Sequence, residues 1–186
     1  MKTVVFCLEE PSAREMLKGL LPGILPADVV PKYIVFRGKQ DLEKNLVRRL
    51  RCWLAPDTKF VVMRDQDAAD CREVKAKLVK LCRAAGKPDT LVRVACRELE
   101  SFYLGDLAAV EKGLGMAGLA KKQAAKKFRD PDQLVHPASE IGRLTKNRYE
   151  KIAGSRAIAP HMQLTGNKSR SFCVLIAGIK HLIDSD

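Results

Sequence analysis

Acidic residues directly follow three short hydrophobic segments in this 186-residue chain. They are Glu9, Asp65, Asp67, Glu98 and Glu100. If the hydrophobic segments are parallel strands of one sheet, their carboxyl ends meet at one edge and the carboxylates gather there. Like charges repel, so such a cluster needs a counter-charge, which a hard divalent cation such as Mg²⁺ supplies through oxygen ligands. The spacing therefore predicts a metal site suited to metal-assisted chemistry on phosphates.

Each acidic group also has a simpler interpretation. An Asp-x-Asp pair such as Asp65 and Asp67 arises often by chance, and a charged pair can simply end a strand. Glu98 and Glu100 fit the first turn of a helix, where acidic residues are common. Glu10 is interpreted as a charge that interacts with the dipole of the helix it precedes. The metal site is favoured because the acids recur at three strand ends.

Segments of strand character alternate with segments of helical periodicity over the first hundred residues. The predicted strands are 3–8, Tyr33–Phe36, Lys59–Met63 and Leu91–Cys96. Between them lie three apolar helical faces, the second of which includes Trp53 and Leu54, and Pro31 is assigned to a loop. The order β-α-β-α-β-α-β predicts an α/β fold with a roughly four-stranded parallel sheet flanked by helices.

The period from Glu98 onward is helical only. Helices are predicted at about 119–128, 132–144 and 146–152, and over a C-terminal stretch that includes Phe172 and Ile183. Gly113, Gly115 and Gly118 are interpreted as a flexible joint. We therefore divide the chain into an α/β core, residues 1–112, and a basic helical extension, residues 113–186, packed on that core.

Positive charge is concentrated late in the chain. The net charge is +12, and the stretch from Lys121 to Arg170 holds twelve basic and four acidic residues. A polyanion such as DNA or RNA is the simplest partner for this surface, although a solvated face is the alternative. Aromatic residues make up only 5%, so charge rather than base stacking would hold the strand. The predicted nucleic-acid contacts are Lys121, Lys122, Lys126, Lys127, Arg156, Lys168 and Arg170.

Several classes of protein are excluded by composition. No apolar run approaches the roughly 20 residues that a bilayer requires, so no membrane association is expected. The six cysteines contain no CxxC pair, which argues against a zinc ribbon. Four of them lie within apolar runs, where cysteine acts as a small hydrophobic residue, and a reducing cytoplasmic location is therefore expected.

The arrangement of acids resembles the Toprim domain of topoisomerases, primases and OLD-type nucleases. That family has a Glu at the end of strand 1 and an Asp-x-Asp at the end of strand 3, matched here by Val4–Glu9 and Val61–Asp67. The family usually has Gly after the first Glu, where this chain has Glu10. The resemblance implies that Glu9 is a general acid/base or metal ligand, and that Asp65 and Asp67 bind Mg²⁺ or Mn²⁺.

The whole chain resembles the bacterial DUF4276 family, a Toprim-like group. The stretches that carry this resemblance are Glu9–Ser12, Arg64–Asp67 and Arg97–Asp106. The resemblance implies a nuclease that works beside an ATPase of the OLD or SMC-like type, encoded by a neighbouring gene, in a phage-defence system. The leading hypothesis is thus a metal-dependent nuclease with Glu9, Asp65 and Asp67 as catalytic residues.

Alternatives from other classes remain open to different degrees. A non-catalytic adaptor of Toprim fold, binding nucleic acid or an ATPase, is the second hypothesis. A phosphoacceptor receiver would need a Lys past a fifth strand, which the sequence does not offer. A HAD-type phosphatase places its Asp-x-Asp after its first strand, whereas the pair here follows the third, so the order argues against this class. A topoisomerase needs a separate large domain for its nucleophilic Tyr, and the sequence offers none. A bacterial primase typically carries a zinc module, which the cysteine spacings exclude.

Overall fold

A four-stranded parallel sheet forms the centre of the molecule in the computed structural model, which describes residues 2–185. The strands are β1 (Lys2–Leu8), β2 (Val29–Val35), β3 (Thr58–Asp65) and β4 (Leu91–Ala95). Their spatial order is β2-β1-β3-β4, and each neighbouring pair is parallel. The predicted α/β fold class, with its parallel sheet flanked by helices, is confirmed.

Helices connect the strands and make up the rest of the chain. The α-helices are α1 (Pro11–Leu20), α2 (Lys39–Arg51), α3 (Cys71–Ala84), α4 (Glu100–Leu104), α5 (Leu107–Gly113), α6 (Pro137–Leu144), α7 (Lys151–Ile158) and α8 (Arg170–Asp184). Short 3₁₀ helices cover Leu21–Gly23, Ala120–Ala124, Lys126–Phe128, Pro131–Gln133 and Ala159–His161. Within residues 2–185, no helix is both long and apolar enough to cross a bilayer.

Alternate side chains of the strands feed two separate hydrophobic cores, as the pleat of a strand dictates. Val5 and Cys7 of β1 face α2 and α3 on one side of the sheet. Phe6 and Leu8 face the other side, where they join a larger core with α1, α4, α5, α7 and α8. This larger core includes side chains from the predicted extension, such as Phe172, so the late helices complete one face of the sheet.

Strand β2 begins earlier than predicted and contains Pro31, which the sequence analysis had assigned to a loop. Pro31 pairs with Val4 of β1. Because β2 lies at the edge of the sheet, the proline occupies a position where its missing N–H does not interrupt a second ladder.

Helix α2 ends before the last residues of its predicted apolar face. It stops at Arg51, and Trp53 and Leu54 lie in the following loop. Trp53 packs beside the smaller core and donates its indole N–H to Thr58 Oγ1 at 3.1 Å. Leu54 is 87% exposed, so the prediction that it helps to mark a buried helical face was wrong.

The segment after α5 also differs from its prediction. The stretch 119–128 forms short 3₁₀ turns rather than the predicted α-helix. Leu119 and Phe128 at its ends are buried, and the lysines between them face solvent. The helix predicted at 146–152 instead begins at Lys151, since Lys146 and Asn147 adopt positive φ angles of 52° and 59° that interrupt a helix.

Gly113 is a point of close packing rather than part of a flexible joint. A Cβ at this position would lie 2.6 Å from the carbonyl oxygen of Ala157 and 2.7 Å from the Cα of Ile158. The glycine therefore lets the end of α5 approach the end of α7, which brings the late helices against the α/β part of the chain.

Candidate active site

The register of the strands places Glu9 beside Asp65. Leu8 of β1 pairs with Met63 of β3, and the N–H of Glu9 continues this ladder to the Met63 carbonyl. The N–H of Asp65 donates to Oε2 of Glu9 at 3.1 Å. Strand-end geometry thus brings two of the predicted site residues into direct contact at the carboxyl edge of the sheet.

Asp65 lies in a buried and strongly negative environment. The residue is 8% exposed. Burial raises the pKa of the Asp65 carboxyl well above its ordinary value, and the charges of Glu10, Glu100 and Glu9 raise it further, while Lys151 acts in the opposite direction. Burial also raises the pKa of Glu9, and the Asp65 N–H and Arg64 offset part of this effect. These carboxylates repel one another in a site that is largely removed from water.

Glu100 is the most deeply buried acid of this group, with no exposed surface. Its Oε1 accepts a hydrogen bond of 2.9 Å from the Tyr149 hydroxyl. Its Oε2 is buried and has no hydrogen-bond partner among residues 2–185. Such an unsatisfied buried carboxylate oxygen is costly and calls for an explanation such as an ion. Burial and the charge of Glu10 raise the pKa of Glu100, and Lys151 and Tyr149 oppose them.

Helix α7 places a lysine over the carboxylates. Lys151, its first residue, lies 3.1 and 3.0 Å from the two carboxylate oxygens of Glu10, and Ser12 donates to the same carboxylate at 2.6 Å. Burial opposes the charge of Lys151, but Glu100 and Glu10 outweigh it and raise the pKa of its ammonium. Lys151 thus brings a positive charge to the cluster.

Tyr149 reaches Glu100 because α7 contains a glycine beneath its ring. A Cβ at Gly154 would collide with the Cδ2 and Cε2 atoms of Tyr149. The ring also packs against Tyr103 at a centroid distance of 5.9 Å. An open cleft of about 590 Å³ lies in front of these groups, lined by Glu100, Tyr149 and Lys151 together with Ala138, Ser139, Gly142, Arg143 and Asn147.

Asp67 lies next to Glu9 but faces cations. Its Oδ2 is 2.8 Å from Lys39 Nζ and 3.5 Å from a terminal nitrogen of Arg64. The buried Arg64 guanidinium also lies 3.8 Å from Glu9 and 2.7 Å from Glu43. Asp67 therefore joins the edge of the cluster through Arg64, while its charge is balanced within the protein.

The loops after β3 and β4 are joined by strained backbone. The N–H of Asp67 donates to the Arg97 carbonyl at 2.8 Å. Both residues have positive φ angles, 57° for Asp67 and 62° for Arg97, and the second is unfavourable for a long side chain. Strain of this kind concentrates at functional sites.

Glu98, unlike Glu100, forms a hydrogen bond at the start of a helix. Its Oε2 accepts the N–H of Ala138 at 2.7 Å, in the first turn of α6, where free N–H groups require acceptors. Glu9, Asp65 and Glu100 therefore lie together in the structure, and Asp67 lies beside Glu9. Glu98 is instead bound to the first turn of α6. Glu10, interpreted from sequence as a helix-start charge, precedes α1 and also belongs to the cluster.

The basic residues predicted to bind nucleic acid lie on separate segments. Lys121, Lys122, Lys126 and Lys127 are exposed on the 3₁₀ turns before α6, and Lys127 forms an ion pair of 2.6 Å with Glu140. Lys168 and Arg170 are exposed at the start of α8. Arg156 of α7 forms an ion pair with Glu15 of α1. Their role in binding stays a prediction.

Lys151 and Tyr149 are site residues that the sequence analysis missed. Both lie within the basic stretch from Lys121 to Arg170, but the predicted nucleic-acid contacts of that stretch include Arg156 and neither of these two residues. The signal available was the high charge of the segment alone, because the position of a short helix relative to the sheet depends on tertiary contacts.

The fit of this site to a divalent cation is partial in this conformation. Within residues 2–185, no three His, Cys, Asp or Glu side chains are arranged as a ready metal site. The unsatisfied Glu100 oxygen and the mutual repulsion around Asp65 nevertheless suit a cation with oxygen ligands. Two larger cavities, about 730 and 680 Å³, lie at the amino end of the sheet around Thr58 and Lys59, so cavity size alone does not locate the site.

The fold and its edge of carboxylates define an α/β protein with an acidic site at the ends of parallel strands. Residues 8–180 match DUF4276, a domain of unknown function, and the chain belongs to this family. The structure is similar to the C-terminal region of the Burkholderia pseudomallei OLD protein, with a TM-score of 0.54, 16% identity, and coverage of 97% of this chain and 96% of that chain. No curated protein matches the sequence. The expected family is therefore confirmed, and the structural likeness supports the fold.

Proposed function

We propose that this protein is a metal-dependent enzyme that cleaves phosphodiester bonds in nucleic acid. The observation that carries the proposal is the environment of Asp65, a buried carboxylate faced by Glu9, Glu10 and Glu100. A purely structural cluster of this kind would destabilise the fold, because its two close cations, Lys151 beside Glu10 and Arg64 beside Glu9, are fewer than its carboxylates. Sites that shift carboxyl pKa values in this way are candidates for catalysis.

The carboxylates of Glu9, Asp65 and Glu100 would hold Mg²⁺ or Mn²⁺, with Asp67 as a further ligand once it separates from Lys39. Such an ion, when bound, orients a phosphate and makes a water molecule more acidic. Glu9 has 14% of its side chain exposed, and its raised pKa makes it a stronger base than an ordinary glutamate, which suits a group that accepts a proton. The Lys151 ammonium, half exposed beside the cleft, is placed to neutralise phosphate charge.

The proposal is tested by incubating the full chain with plasmid DNA, single-stranded DNA and RNA in the presence of Mg²⁺, Mn²⁺ or a chelator. We expect cleavage that needs the metal and falls by at least about 100-fold in Asp65→Asn, a typical loss for a central catalytic group. Asp89→Asn, an exposed acid before β4, is the matched control and should retain activity. Equal cleavage by wild type and Asp65→Asn would remove the assignment.

A second candidate function, a non-catalytic adaptor, is favoured by one observation. The described carboxylates are not arranged as a ready metal site, and Lys39 and Arg64 already neutralise Asp67. The adaptor would bind nucleic acid, or the ATPase partner implied by the resemblance to OLD-type systems. It predicts salt-sensitive binding with no hydrolysis under any metal. Metal-dependent cleavage lost in Asp65→Asn would exclude it.

A further inference from the structure

Helices α1 and α7 are joined by two ion pairs whose partners are equally far apart in sequence. Lys151 contacts Glu10 at 3.0 Å, and Arg156 contacts Glu15 at 2.8 Å. In both pairs the partners are 141 residues apart in sequence. The two helices therefore run in the same direction, and the second pair lies about 7.5 Å further from the acidic edge, since a helix rises about 1.5 Å per residue.

The second pair is the centre of a basic cluster, which we define as Arg14, Lys18 and Arg156 around Glu15. Arg14 Nε lies 2.9 Å from Glu15 Oε1, Lys18 Nζ lies 3.4 Å from the same oxygen, and Arg156 Nε lies 2.8 Å from Oε2. The Glu15 side chain is only 4% exposed, whereas the three cations are 37%, 51% and 67% exposed. One buried carboxylate thus holds three cations that still face solvent.

This arrangement leaves two net positive charges on a pre-ordered surface. Hydrogen bonds from Arg156, and then from Arg14, lower the pKa of Glu15 to about 2 against the effect of burial, so its negative charge persists at neutral pH. Both arginines contact Glu15 through Nε. A guanidinium presents five N–H donors in a planar fork, so an arginine that uses its Nε in an ion pair keeps terminal Nη donors suited to bidentate contact with phosphate.

We propose that the basic cluster of Arg14, Lys18 and Arg156 binds the sugar–phosphate backbone of the nucleic-acid strand adjacent to the point of cleavage. The inference rests on the proposed function, because it assigns the substrate path to that site. One strand of a duplex carries a phosphate for roughly every 3.4 Å of its axis. An offset of about 7.5 Å is of the same order as this spacing, so the cluster lies within reach of phosphates that neighbour the one at the acidic edge.

The test measures binding separately from cleavage. In an Asp65→Asn background, the double variant Arg14→Gln/Lys18→Gln removes two exposed cations and leaves the Glu15–Arg156 pair intact. The control Arg49→Gln/Lys80→Gln removes two exposed cations from α2 and α3, on the opposite face of the sheet. Fluorescence anisotropy with labelled DNA and RNA oligonucleotides of one sequence, over a series of salt concentrations, gives the affinity.

We expect the cluster variant to bind the preferred oligonucleotide about 10-fold more weakly, with a salt slope smaller by about two contacts, whereas the control changes little. Thermal unfolding of both variants establishes that they remain folded. Equal affinity of the cluster variant and the control for both oligonucleotides, or no binding of either by the Asp65→Asn protein, would overturn the inference. If the wild type does not cleave nucleic acid but its binding still depends on the basic cluster, only the nuclease proposal is contradicted.

Discussion

Lys151 contacts both carboxylate oxygens of Glu10, and this contact fastens the first residue of α7 over the residue that precedes α1. The lysine stands beside Glu10, Glu100 and Asp65, whose charges all favour its protonated form. A single half-exposed ammonium thus offsets part of the repulsion among carboxylates that the ends of three strands bring together.

Replacing Lys151 with methionine should destabilise the metal-free protein. The substitution keeps an apolar stem but removes the positive charge, so the pKa values of Asp65 and Glu100 rise further. Because the lysine is half exposed, we expect a loss of about 1 kcal/mol in the free energy of unfolding at neutral pH. The loss should shrink toward pH 5 as the carboxyls become protonated.

Urea denaturation at both pH values measures this effect. Lys180→Met, which changes an exposed lysine on α8, is the control and should leave the stability nearly unchanged. An equal effect of the two substitutions would show that Lys151 does not interact with the acidic cluster.

Asp65→Asn should make the metal-free protein more stable at neutral pH. Because the folded-state pKa of Asp65 is raised, the folded state favours the protonated acid. The associated stability is present below the ordinary pKa and is lost as the pH rises through the raised value. Each unit of that rise costs about 1.4 kcal/mol, and the neutral amide avoids this cost.

Stability curves of wild type and Asp65→Asn between pH 4 and pH 8 would therefore converge at the acidic end and separate toward the basic end. Added Mg²⁺ or Mn²⁺ should stabilise wild type and leave the variant unchanged, because ligand binding to the folded state adds stability. Parallel curves, with no effect of either metal, would contradict both the strained carboxylate and the metal site.

Much of the acidic edge could be predicted because short apolar runs identify buried parallel strands. The apolar runs before Glu9 and Asp65 predict where each strand ends. Because the strands are parallel, these ends lie at the same edge of the sheet. Glu100 could be predicted in the same way. Its burial, and the different position of Glu98 two residues earlier, depend on the turn at Arg97 and on the approach of α6.

The late part of the site could not be predicted from periodicity. Helix α7 is short and packs on α1, and its Gly154 leaves the space that the ring of Tyr149 occupies. A pattern of apolar residues does not report this kind of close approach. Charge alone predicts Arg156 as a nucleic-acid contact and gives no role to Lys151. The parallel packing of α1 and α7 brings Lys151 to the carboxylates and Arg156 to Glu15.

A matched pair of substitutions separates the two glutamates after β4. Glu98→Gln keeps an oxygen that can accept the N–H of Ala138, so the free energy of unfolding should change by less than about 0.5 kcal/mol. Glu100→Gln keeps the contact with Tyr149 but removes a buried charge. We expect metal-induced thermal stabilisation to persist in the first variant and to disappear in the second, as measured by thermal unfolding with and without Mg²⁺. Loss of the metal effect in Glu98→Gln alone would reverse the assignment.

Glu15→Gln should lower the free energy of unfolding at neutral pH, whereas Asp65→Asn should raise it. Both effects should shrink as the pH falls. The pKa of Glu15 is lowered to about 2, so its ion pairs contribute stability above the ordinary value of 4.5 and lose it as the pH falls toward 2. Because its partners face solvent, we expect the substitution to cost about 1–2 kcal/mol at neutral pH.

This cost should shrink as the pH falls toward 2, because a growing fraction of the Glu15 carboxyl is then protonated and neutral, as the glutamine amide of the variant is. Chemical denaturation of both proteins at neutral pH and across the acidic range measures the difference. Arg14→Gln, which removes one exposed partner, should cost less than Glu15→Gln, because the buried carboxylate keeps Arg156 and Lys18. A pH-independent difference would show that Glu15 stabilises the contact of α1 with α7 by packing rather than by charge.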